Sequence, residues 1–253
     1  MDEILGTVVG RWYVTLFGVV FVWRASRDLG WRKTGIYTAG ALLVGIISEN
    51  ASVRWGIPYT GYEFNQELRG EELFIGEAPL MVSVSYTFMG YFAYALGRLL
   101  ASGPHRTRGR RAWHELALGV MLAVWAVFLF DPVAQRGGEW FLGDVFAYDG
   151  GGFWFGLPVA SQVGMLLSSL LTVGLATLLG RDQPDEPVDG LLRHPHLVAM
   201  LTYHGQLAWL AITAVWIGQT ELGGSVLLMW VPAALVTAVA WSSQGSTRAT
   251  EAA

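Results

Sequence analysis

The chain has 253 residues, 53% of them hydrophobic and only 14% charged, with a formal net charge of −4 and no cysteine. Disulfides and thiol chemistry are thereby excluded, and the composition is that of a polytopic membrane protein. A hydrocarbon core of about 30 Å takes about 20 helical residues to cross. Lipid offers no partner for open backbone groups, and the apolar runs are too long and too even for barrel strands, so helices are expected.

Seven spans are predicted in chain order, the first at about residues 7–25. It opens on the acidic MDEILG with no small-residue cleavage site after it, so no removable signal peptide is expected. The second, at about 35–52, carries Glu49 near its end; the third, 78–100, starts just after Glu77; the fourth, 113–130, runs straight into Asp131 and Pro132. The remaining three fall at about 157–179, 197–217 and 224–242. The predicted fold is an all-α bundle in one domain, residues 1–243, followed by a short polar tail at 244–253. No soluble domain and no internal repeat is visible, and GRDQPDEPVDG at 180–190 reads as a solvated linker.

Basic residues set the expected orientation. Arg24, Arg27, Arg32 and Lys33 follow span one; Arg98, Arg106, Arg108, Arg110 and Arg111 follow span three; Arg181, Arg193 and Arg248 come later on the same side. The opposite connections hold only Arg54, Arg69 and Arg136 among many acids. The N-terminus is therefore expected outside and the C-terminus in the cytoplasm, with the plasma membrane as location. The basic patch after span three reads as an orientation signal, and no nucleic-acid partner is expected. The two longest connections, about 53–77 and 131–156, then face outside; rich in Gly and aromatics, they are expected to fold back as caps over the bundle.

With that topology, Glu49, Glu77 and Asp131 reach similar depth at the outer boundary and are predicted to line one cavity under the caps. Carboxyls crowded in a low-dielectric site repel one another, so at least one is expected to hold its proton near neutral pH. A competing reading from spacing is that Asp131 pairs with Arg136 or Arg54 and Glu49 with Arg11 or Arg54, so that the acids merely tie helix ends together.

Four blocks carry a resemblance: SENASVRWGIPYTGYEF, IGEAPLMVSVSYTFMGY, FLFDPVAQRGGEW and GGFWFGLPVASQVG. In this order they resemble the carotenoid-biosynthesis membrane family that includes carotenoid 1,2-hydratases and the bisanhydrobacterioruberin hydratase. The similarity covers roughly residues 45–170 and places family features on Glu49, Gly61 with Tyr62 and Phe64, Gly76 through Leu80, Asp131 with Pro132, Gly138 with Trp140, and Trp154 through Pro158. The chain departs from the family pattern at Tyr86, where Trp is expected, and at Ser161 and Met165, where Asn and Trp are expected. Those departures imply a reshaped pocket and leave substrate and product open.

The resemblance implies hydration of a terminal isoprenoid double bond. An acid protonates the alkene, and a positioned water captures the tertiary carbocation; two carboxyls of unlike protonation state can divide the tasks. Asp131 is the leading candidate acid, with Glu49 and Glu77 as water-orienting or proton-sharing partners. Aromatic faces stabilise cations, which makes Tyr62, Tyr86, Trp140 and Trp154 candidate substrate contacts, with Ser161 beside them. Taken singly, each of these aromatics fits an interfacial belt better, and only their clustering points to a substrate site. The expected partners are a lipophilic isoprenoid or polyene and membrane lipid. If water is excluded, the same cation closes on carbon, and the enzyme is a protonation-initiated terpene cyclase. Intramembrane acids also serve proton-coupled transporters, although these acids gather at one face and no inverted halves are seen.

No cofactor is expected. Magnesium-holding D-D-x-x-D motifs are absent, which disfavours diphosphate ionisation. Lys33 is the only lysine and lies in a connection, so a retinal Schiff base has no amine. His194 and His196 in HPH, with His204 beyond, lack an acidic or thiol partner at helical spacing. They read as a solvated pair and a hydrogen-bonded core histidine, and no metal is expected.

Overall fold

The structure is a computed structural model, and it describes residues 3–101, 108–148, 151–182 and 195–251. Eight α-helices are described: α1 (Glu3–Gly10), α2 (Trp12–Asp28), α3 (Trp31–Trp55), α4 (Leu80–Ala101), α5 (Arg108–Ala134), α6 (Val159–Leu179), α7 (Pro195–Trp216) and α8 (Thr220–Glu251). Six of them are long and apolar enough to cross a membrane, or seven when α1 and α2 count as one bent span. The protein is thus an integral membrane helical bundle. Among the basic residues read from the sequence, Arg106 and Arg193 lie outside the described residues, as do His194 and most of the linker at 180–190.

The first span departs from its prediction. In place of one helix over 7–25, α1 and α2 meet at a 78° bend at Arg11. A straight, lipid-facing helix would strand that guanidinium in hydrocarbon, which is costly. The break turns it inward, where it is 6% exposed and donates to Glu72 Oε1 at 2.5 Å, to the Tyr13 hydroxyl at 3.2 Å and to the Leu142 carbonyl. The other helices differ from their predicted ends by a few residues in either direction, with α4 and α6 starting two residues later than expected, and α5 continues through Pro132 to Ala134. Proline there removes the amide that would bond the Phe128 carbonyl, a loss that membrane helices tolerate where neighbouring groups satisfy the freed carbonyl. The backbone of α8 carries on to Glu251, through the polar tail.

Helix α4 is the central element. Its buried face includes Thr87, Tyr91, Phe92, Tyr94 and Leu96, and it packs against α2, α3, α5, α6, α7 and α8. Small residues let it do so: a Cβ built on Gly97 would sit 2.7 Å from the amide nitrogen of Gly119 on α5, so the two backbones nearly touch. At the end of the bundle away from the long loops, Asp28 accepts from Tyr91 at 3.1 Å and pairs with Arg98 at 3.7 Å, locking α2 to α4. Arg24 and Arg98, expected in solvated connections, are 3% and 7% exposed.

The two long loops do fold back as a cap, and they do it with strands. Strand β1 (Tyr62–Phe64) pairs antiparallel with β4 (Phe146–Tyr148), matching Tyr62 with Tyr148 and Phe64 with Phe146. Strand β2 (Phe74–Ile75) pairs with β3 (Ala78–Pro79) across a tight turn. One sheet therefore joins loops more than 80 residues apart in sequence, and alternation points Tyr62 and Phe64 to one face while Glu63 stays exposed.

Candidate functional site

A cavity of about 170 Å³ lies among α2, α3, α4, α5 and α6, with the β1–β4 ladder forming part of its wall. Glu49 comes to it from α3, Tyr86 from α4, Asp131 from α5 and Ser168 from α6. Tyr62 and Tyr148 come from the ladder, and Tyr59 from the loop ahead of it.

Local structure fixes the loop. Helix α3 ends at Gly56, whose left-handed backbone (φ 68°) lets its amide reach the Ser52 carbonyl at 2.8 Å, the usual glycine stop. The Ser52 hydroxyl then accepts the Tyr59 amide at 3.0 Å. On the far side the loop lies against α6 at Gly164, where a built Cβ would meet Tyr59 Cδ1 at 2.5 Å and the Pro58 carbonyl oxygen at 2.7 Å. Gly164→Val is therefore expected to push the loop off α6 and cost about 1–3 kcal/mol, as overpacking does. A thermal melt in detergent measures this; an unchanged melt would mean the loop is not held there.

Glu49 is 6% exposed and accepts two tyrosines: Tyr86 donates to Oε1 at 2.5 Å and Tyr62 to Oε2. Tyr59 extends the chain, with its hydroxyl 2.9 Å from that of Tyr86 and 2.6 Å from Ser168 Oγ. Asp131, 9% exposed, accepts from Tyr148 on Oδ2 at 3.0 Å and lies within electrostatic reach of Glu49. Its Oδ1 has no hydrogen-bond partner among the described residues, which leaves one carboxyl oxygen for whatever enters the cavity. Burial pushes the Tyr148 hydroxyl far above the usual phenol range, and the neighbouring Asp131 adds to the rise. Tyr59 is raised by burial and then by Glu49. Both therefore keep their protons and act as donors at ordinary pH.

The ion-pair alternative does not describe these acids. Neither Glu49 nor Asp131 forms a salt bridge among the described residues. Arg11 is taken by Glu72, Arg54 by Glu77 at 3.3 Å, and Arg136 donates to the Pro132 carbonyl at 2.5 Å.

Glu77 is where the sequence expectation fails geometrically. It sits in the β2–β3 turn outside the cavity, its side chain 35% exposed, between Arg54 and Arg69 at 3.3 Å each. Helix α4 starts only at Leu80, so Glu77 belongs to the loop and points to the rim. Two of the three proposed carboxyls meet; the third is a surface ion pair.

Among the predicted substrate contacts, Tyr62 and Tyr86 line the cavity, whereas Trp140, Trp154 and Ser161 do not. The Trp140 ring packs edge-on to Phe141 and donates to the Val133 carbonyl at 3.3 Å. Trp154 stacks on Phe128 with centroids 5.0 Å apart. Ser161 is fully buried behind Tyr148, donating to the Pro158 carbonyl at 2.7 Å.

Tyr59, Tyr148 and Ser168 escaped the sequence reading. The aromatic alternation Tyr62-x-Phe64 and Phe146-x-Tyr148 is a period-two signal from which paired strands, and hence Tyr148, could have been read. Nothing local marked Tyr59 or Ser168. His196 instead meets the Ala95 carbonyl at 3.2 Å, and His204 lies between Thr237 at 2.7 Å and Trp230 at 3.2 Å. Among the described residues no cluster of His, Asp and Glu has metal-holding geometry.

The cavity is small and mostly apolar, with acids at its walls. A void of about 150 Å³ takes one benzene, and this cavity is of that order. Glu49, Glu72 and Asp131 face it, and the basic side chain on its wall, Arg11, is already paired with Glu72. The model of the family described as carotenoid biosynthesis protein matches residues 9–239. Comparison with curated proteins and with solved structures gave no match.

Proposed function

The chain belongs to the carotenoid biosynthesis protein family, and from that premise we propose that it is an isoprenoid hydratase acting inside the membrane. It protonates a terminal carbon–carbon double bond and adds water to the resulting cation. The observation that carries this reading is Asp131: one oxygen held by Tyr148, the other unengaged at the wall of an apolar cavity sized for a prenyl end.

Asp131 is the acid. It delivers its proton to the less substituted alkene carbon, leaving a tertiary cation at the neighbouring carbon. Protonation by a positioned group is worth roughly 10²–10⁴-fold. Glu49, its two oxygens held by Tyr86 and Tyr62, supplies nearby negative charge that favours the cation and a place to share the proton. The rings of Tyr59, Tyr62 and Tyr148 lie on the same cavity, where their faces offset the positive charge further. Water adds to the cation, loses one proton to the carboxylate of Asp131, and so resets the acid. The substrate is a neutral, lipid-dissolved isoprenoid entering from the bilayer, with the capped end of the bundle outside and the chain in the plasma membrane.

The apolar lining also favours a second reading, in which carbon captures the cation and the enzyme is an acid-initiated terpene cyclase. Expression in a host that makes acyclic polyenes and shorter prenyl chains, followed by mass analysis of the lipid extract, decides. A product heavier by one water is expected. An isomer of unchanged mass would replace hydration with cyclisation, and unmodified isoprenoids with uptake of a small solute in proteoliposomes would replace both with a transporter.

A further inference from the structure

Arg11 and Glu72 form the second polar station of the same cavity. Both line it, and their side chains are only 8% and 9% exposed. The pair is asymmetric. Glu72 Oε1 takes the Arg11 guanidinium at 2.5 Å, but Glu72 Oε2 is buried and has no hydrogen-bond partner. Leaving a charged acceptor buried and empty is unfavourable, and the arrangement around it is built: the α1–α2 bend delivers Arg11, and the Leu73 amide binds Thr7 Oγ1 at 2.6 Å, fixing the segment that carries Glu72 to α1. The empty position takes a hydrogen-bond donor. An anion is repelled there, and Arg11 already neutralises the carboxylate, so a neutral O–H is the fitting partner.

We propose that Glu72 Oε2 holds the water that ends the reaction, in the cavity that Asp131 also lines; this rests on the hydratase reading above. The volume allows it, since the cavity of about 170 Å³ exceeds the roughly 150 Å³ that takes one benzene by more than the ~10–15 Å³ that one water position needs. In the balanced step, Asp131 gives a proton to the alkene and a lone pair of the held water forms the C–O bond. One water proton returns to the Asp131 carboxylate, and the other stays on the product hydroxyl, donated to Glu72 Oε2. Glu72 thereby chooses between water and carbon as the group that captures the cation.

The test is the product ratio of Glu72→Gln on a hydrocarbon polyene. The amide oxygen stays with Arg11, so an NH2 replaces Oε2 and a donor stands where an acceptor was. The ratio of water adduct to unhydrated isomer is expected to fall at least about tenfold, whatever the total turnover. Arg11→Met with Glu72→Met together, which removes the buried pair as a unit and is better tolerated than breaking it, is expected to give the same shift should the single variant fold poorly. An unchanged ratio, or both products falling in step, overturns the proposal and leaves Glu72 a structural partner of Arg11. A chain bearing its own hydroxyl serves as the second arm. If Glu72→Gln raises KM for that chain only and spares hydration of the hydrocarbon, the O–H bound is the substrate's and the water assignment falls. A wild-type protein that forms no water adduct at all fails the hydratase reading itself, a result distinct from either.

Discussion

Asp131→Asn is expected to lower turnover about a thousandfold, within the span of a lost general acid, while the protein still reaches the membrane folded. The amide is the same size as the carboxyl and its oxygen can still accept from Tyr148, now bonded at 3.0 Å. No arginine loses a partner, because no ion pair involves Asp131 among the described residues. What disappears is the proton that the carboxyl can give to an alkene; an amide has none at usable acidity. The measurement is product formed per amount of purified protein, set beside a thermal melt in detergent. Full activity with an unchanged melt would remove Asp131 from the acid role and with it the mechanism proposed here.

The second large effect separates Glu49 from Glu77. Glu49→Gln is expected to cost about a hundredfold, because the amide accepts from Tyr86 or from Tyr62 but not from both, and removes the negative charge beside the developing cation. Glu77→Gln is expected to stay within about threefold of the parent, since its two arginine contacts are half-exposed and such pairs contribute at most about 1 kcal/mol. Both variants are read in the same product assay. Equal losses would mean that the rim ion pairs matter to catalysis as much as the cavity does, and the two-carboxyl site would fail.

Much of the bundle was legible from the sequence because its cause is local. Twenty-odd apolar residues without charge must be helical in lipid, whatever their neighbours are, and six of the seven predicted spans appear as single helices. The first did not, because its break depends on Arg11 finding Glu72, 61 residues away. The acids show the same division. Glu49 and Asp131 end apolar runs inside helices, so their depth followed from counting residues, whereas Glu77 lies in a loop whose path counting does not give. Arg24 and Arg98 read as solvated charges, yet both are buried, Arg98 against Asp28 and Tyr94.

By itself the sequence determined that this is a helical membrane protein with acids near one end of the bundle and aromatic caps above them. Periodicity, hydropathy and the lipid's lack of hydrogen bonds suffice for that. Only the tertiary structure decided which side chains meet. The β1–β4 ladder brings Tyr148 to Asp131 and Tyr62 to Glu49, Gly164 seats Tyr59 against α6, and the bend at Arg11 turns a guanidinium toward the cavity. Those are contacts across loops and helix faces, set by strand register and close backbone approach, and no local pattern of residues encodes them.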